Sequence, residues 1–89
     1  MPEPPESVII TFDFMTDLTR LSRDDQRRVL WALVLLDTDE RTPSLRVHKL
    51  TGERSGQWSA AASRSLRIIF EHLAEGRKLL LECDHHYGD

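Results

Sequence analysis

The side chains able to move protons or hold a phosphate gather in the second half of the chain. His48 and Lys49 stand side by side in "VHKL", Arg64 and Arg67 follow in "SRSLRIIF", and His85 and His86 come near the end in "CDHHYGD", with Tyr87 next. Arginine and lysine stabilise a phosphate as it gains charge. Histidine is the side chain best suited to passing protons near neutral pH. Together these are what RNA transesterification needs: a base for the 2′-OH, cations for the phosphorane and an acid for the leaving 5′-oxygen. Proton transfer of this kind contributes roughly 10²–10⁴-fold in rate. The scheme calls for no metal and no cofactor.

The charge distribution points the same way. The net charge is −3, but residues 41–70 alone carry +5, from Arg41, Arg46, Lys49, Arg54, Arg64 and Arg67 against Glu53. The flanking segments are acidic, −5 over residues 1–40 and −3 over residues 71–89. A polyanionic partner responds to local charge, because fields are screened within about 8–10 Å at cellular salt. The plainer reading of such a segment is a solvated face.

These residues need a scaffold to bring them together. With 89 residues, one domain is expected, spanning residues 8–89 behind a flexible tail, residues 1–7. Three prolines in "MPEPPES" block regular hydrogen bonding there. "VIITF", Val8 to Phe12, reads as a strand. Phe14, Leu18 and Leu21 share one helical face, and a second helix is expected from Ser22 to about Leu36, capped by Ser22 with Asp25 three residues on. "DTDERTPS" is a loop, after which the period changes to two. Trp58, Ala60 and Ala62 form one alternating set; Leu66, Ile68 and Phe70 form another, with Arg67 on the opposite face. "AEGR" turns the chain into a last strand, "KLLLEC". The layout, β-α-α-β-β-β, predicts an α+β domain with two helices on one face of a small, mainly antiparallel twisted sheet, the other face free for polar side chains.

Several residues have structural readings. Cys83 lies at period two with Leu79 and Leu81 and reads as core, as does Trp58; His72 reads as a surface residue. His85 and His86 are adjacent, so in a strand only one can enter a given site. With Asp84 they are zinc-ligand types, but no second pair at motif spacing accompanies them, and no metal is expected. A single cysteine cannot form an intramolecular disulfide. The longest apolar run, Val29 to Leu36, is far short of the roughly 20 residues a membrane span needs. The acidic N-terminus is unlike a signal peptide, so the cytoplasm is expected and the membrane is not.

In order and spacing, "HKLTGERSGQWS", "SRSLRIIF" and "LLLECDHH" resemble the RelE/ParE superfamily of toxins from bacterial type II toxin–antitoxin systems, and the likeness runs from about Val8 to His86. The resemblance implies a ribosome-dependent mRNA endonuclease. By position, Arg67 matches the strand arginine that contacts the phosphate, His48 and Lys49 the His/Lys position before a Gly-containing loop, and His86 the C-terminal general acid or base. Arg64 falls near a second arginine, and His85 and Tyr87 are secondary candidates. Arg46, Lys49, Arg54, Arg64 and Arg67 are expected to meet RNA or ribosome. The implied partners are a cognate antitoxin, the ribosome and mRNA. The alternatives are a ParE-type inhibitor of DNA gyrase without nuclease chemistry, or a homologue that only binds its antitoxin.

Overall fold

The computed structural model of the protein describes residues 7–85. The short strand β1 (Val8–Ile10) is followed by helices α1 (Phe12–Arg20) and α2 (Arg23–Thr38). Strands β2 (His48–Lys49), β3 (Trp58–Ala61), β4 (Leu66–His72) and β5 (Lys78–His85) complete the sheet. Residues 1–6 of the expected tail lie outside the described residues. Ser7 does not behave as tail: its hydroxyl donates to Asp37 and its carbonyl accepts from Lys78 N at 2.6 Å.

The first strand stops two residues earlier than "VIITF" suggests, because Thr11 becomes a helix cap. Its Oγ1 accepts from Phe14 N at 3.1 Å and donates to the Leu80 carbonyl at 2.7 Å, which satisfies an orphan helix donor and ties the turn to β5. Phe12 therefore begins α1 and is exposed. Ser22 caps α2 as its spacing predicts, its Oγ accepting from Asp25 N at 3.1 Å.

The sheet order is β1-β5-β4-β3-β2. The three pairs β2–β3, β3–β4 and β4–β5 are antiparallel, whereas β1 returns parallel to β5. Both helices lie on one face, and the core forms between them: Phe14, Val29, Leu33 and Leu36 from the helices, Leu66, Ile68, Phe70, Leu80 and Cys83 from the sheet. The alternation expected in β4 holds, with Leu66, Ile68 and Phe70 fully buried. Removing the Phe70 ring would cost roughly 3–5 kcal/mol.

The phase of β5 is different from the expected one. Opposite the Ile69–Phe70 step the register shifts: Ile69 pairs with Glu82 and Phe70 with Leu80, leaving Leu81 as the extra residue of a bulge. The core face therefore takes Leu80 and Cys83, not Leu79 and Leu81. Cys83 is core as expected, but for another reason. The same bulge assigns Glu82 and Asp84 to the helix-free face, opposite Ile69 and Arg67.

Candidate functional site

Register fixes which cations can meet. On the helix-free face, His48 pairs with Ser59, Ser59 with Ile69 and Ile69 with Glu82, forming one cross-strand row. Arg67 stands two residues from Ile69 on the same face, opposite Asp84. These residues line a cleft of about 460 Å³ together with Arg54 and His85. Ser59, polar yet only 3% exposed, is part of its lining.

The ring of His48 is oriented by its own chain. Its Nδ1 lies 2.9 Å from the Arg46 carbonyl. A carbonyl only accepts, so Nδ1 carries the proton and the neutral ring keeps its lone pair on Nε2. Among the described residues Nε2 has no hydrogen-bond partner. Arg46 presents that carbonyl from a left-handed conformation, φ 48° and ψ 44°, at the end of the 43–45 turn. Holding a non-glycine residue there costs roughly 1–2 kcal/mol.

The remaining candidates separate. Lys49 is adjacent to His48 and so projects to the other face; it pairs with Trp58, and its Nζ stands 5.5 Å from the Trp58 ring centroid. It does not join His48 and Arg67. Arg54 lines the cleft but is paired with Glu82 and donates to Gln57 Oε1 at 3.1 Å. Arg46 and Arg64 line a second groove of about 760 Å³, between α2, the 43–45 turn and the β3–β4 connection, which Arg67 also reaches. Among the described residues Arg46, Arg64 and Arg67 have no ion pair, and no carboxylate lines this groove.

His85 pairs with buried Leu66 and so faces the helices. Its Nε2 is 2.7 Å from Asp25 Oδ2 and its Nδ1 3.0 Å from Ser65 Oγ. The His85 hydrogen bond holds the Asp25 carboxyl below its ordinary range; partial burial opposes this, and Arg28 adds to it. The ring thus ties the end of β5 to the first turn of α2. His86 and Tyr87 lie outside the described residues. His72 bonds Glu40 at 2.9 Å and packs edge-on to Trp58, far from a proton-transfer role. Burial pushes the Cys83 thiol up to about 12, with the charges of Asp17, Asp84 and Glu82 adding to it. It is a core residue and not a nucleophile. Among the described residues, no helix is long and apolar enough to cross a membrane, and no group of three His, Cys, Asp or Glu could hold a metal ion.

Two features of the site are not among the residues expected from the sequence. Glu82 is one, because its pairing with Arg54 spans 28 residues. Trp31 is the other: it lines the arginine groove from α2.

Solved structures share this architecture. The chain is similar to the RelBE2 toxin–antitoxin complex of Mycobacterium tuberculosis, with 26% identity over 93% of this chain and 100% of that one, at a TM-score of 0.64. It is also similar to the archaeal RelE–RelB complex of Pyrococcus horikoshii (19% identity, 97% and 100% covered, TM-score 0.74). The YoeB/ParE toxin of Agrobacterium tumefaciens matches at 24% identity over 91% and 99%, with a TM-score of 0.68. A scan against protein-family models and a search of curated proteins gave no match. The chain has the fold of RelE-like toxins, two helices against a five-stranded mixed sheet.

Proposed function

We propose that the chain is the toxin of a type II toxin–antitoxin pair and acts as an endoribonuclease that cuts mRNA on the ribosome. One observation carries this reading: His48, with its tautomer set by the Arg46 carbonyl, and Arg67, without an ion pair among the described residues, line one cleft. His48 Nε2 takes the proton of the 2′-OH as that oxygen attacks phosphorus. Arg67 stabilises the phosphorane. The bond from phosphorus to the 5′-oxygen breaks, leaving a 2′,3′-cyclic phosphate, and an acid protonates the departing oxygen. His86 is the candidate acid, since the neighbouring His85 ring is held by Asp25 and Ser65. Lys49, on the other face of the pleat, is left out of the set.

The partner this reading implies is a protein antitoxin that covers the cationic clefts. Two of the similar structures were solved as complexes with one, which supports it. Translating ribosomes would place the action in the cytoplasm.

The test is cleavage of mRNA on translating ribosomes by the purified chain, with Arg67→Ala as the comparison. The wild type should cut, and the variant should lose roughly 10²–10³-fold in rate, the usual cost of one transition-state donor. Intact mRNA beside the wild type would sink the proposal. Inhibition of DNA supercoiling by purified gyrase, with mRNA left whole, would favour the ParE-type reading instead.

A further inference from the structure

The arginine groove holds a feature that the cleavage chemistry does not use. Trp31, on its helix wall, is 64% exposed. The core stripe of α2 is carried by Val29, Ala32, Leu33 and Leu36, so Trp31 is not needed for packing. Leu30 and Val34, the other exposed apolar residues of α2, do not line the groove. Of these exposed apolar residues only the indole lines the groove, which it shares with Arg46, Arg64 and Arg67. Exposed aromatic faces beside a positive groove are what unpaired bases and their phosphates require together. Duplex nucleic acid keeps its bases stacked and offers no free face.

We propose that this groove is a subsite for single-stranded RNA, in which Trp31 stacks on a base while Arg46 and Arg64 hold the flanking phosphates. Arg67 lines both clefts, so the strand passes from the stacked base to the bond that is cut. As a substrate subsite this rests on the ribonuclease reading. As a binding site it can be tested without cleavage. Stacking is indifferent to base identity, so the subsite adds affinity and register rather than sequence preference.

The experiment titrates the full-length chain with a six-nucleotide 2′-O-methyl RNA, which cannot be cut, and follows tryptophan fluorescence and strand anisotropy. The wild type should show quenching. Trp31→Leu should weaken binding about tenfold and remove the quenching, whereas Trp31→Phe should keep most of the affinity. An abasic strand of the same length should bind the wild type and Trp31→Leu equally. Wild-type affinity in Trp31→Leu overturns the proposal. So does equal quenching by the abasic strand, which would mean charge alone is read, or by a polyglutamate peptide, which would make the groove a protein-docking site. Cleavage on ribosomes is measured alongside. A chain that binds through Trp31 but cuts nothing refutes only the nuclease reading, and one that cuts mRNA without any Trp31 effect refutes only the subsite.

Discussion

The two clefts that meet at Arg67 come from the same basic segment and differ in how their charges are balanced. On the helix-free face, Arg54 is paired with Glu82 and Arg67 stands opposite Asp84. In the groove beside α2, Arg46, Arg64 and Arg67 have no carboxylate for company among the described lining residues. The first cleft has the histidine and moderated charge suited to proton transfer. The second has the unbalanced charge and aromatic surface suited to holding a strand. A count of +5 over residues 41–70 cannot separate these, because the acids that moderate the first cleft come from β5. Chemistry is thus proposed for one cleft and grip for the other, with Arg67 of β4 lining both.

His48→Gln tests that division most strongly. Glutamine puts a polar amide where the imidazole Nε2 stood but cannot take a proton. Cleavage should fall by roughly 10²–10⁴-fold, while affinity for the uncleavable RNA stays within a factor of two or so. Single-turnover cleavage beside anisotropy binding reads both. A parallel loss of both would show that the first cleft binds as much as it reacts, and the contrast would collapse.

Glu82→Gln gives a smaller effect in the opposite direction. The Arg54–Glu82 pair is half exposed, with side chains 50% and 40% accessible, and such pairs contribute about 0–1 kcal/mol to stability. Removing the acid should leave the urea midpoint nearly unchanged while freeing Arg54 for a phosphate. RNA affinity should rise severalfold, and the slope of log affinity against log salt should steepen by about 0.7, one further contact to a single strand. An unchanged slope would mean that Arg54 is not moderated by Glu82 at all.

How much of this was legible in the sequence depends on the range of the interaction. Local patterns are legible: Ser22 caps α2, and Leu66, Ile68 and Phe70 alternate inward with Arg67 outward. Period two alone puts His48 and Lys49 on opposite faces, so the split of the expected pair was available from the sequence. Trp31 was legible too, as an apolar residue off the Val29–Leu33–Leu36 stripe. The bulge at Leu81 was not, because "KLLLEC" is apolar in either phase and only the pairing with β4 selects one. Nor was the parallel return of β1 to β5, which pairs residues about 70 apart and leaves no local trace.

His85 ends β5, opposite Leu66, and the smallest predicted effect concerns it. Its ring is bound by Asp25 and Ser65, so it belongs to the scaffold, and the proposed proton transfer is left to His48 and His86. Asp25 then has a depressed carboxyl in the folded chain, mainly through His85. A group depressed on folding contributes stability that is present above its unfolded value, near 3.8, and is lost as pH falls through the folded one. The wild type should therefore lose stability on acidification below about pH 4 more steeply than Asp25→Asn. Urea midpoints between pH 6 and pH 3 measure the difference, and mRNA cleavage at neutral pH should be little changed in the variant. If the two proteins lose stability in parallel, Asp25 does not hold the ring. The ring would then be held on the helix side by Ser65 and by its strand position alone.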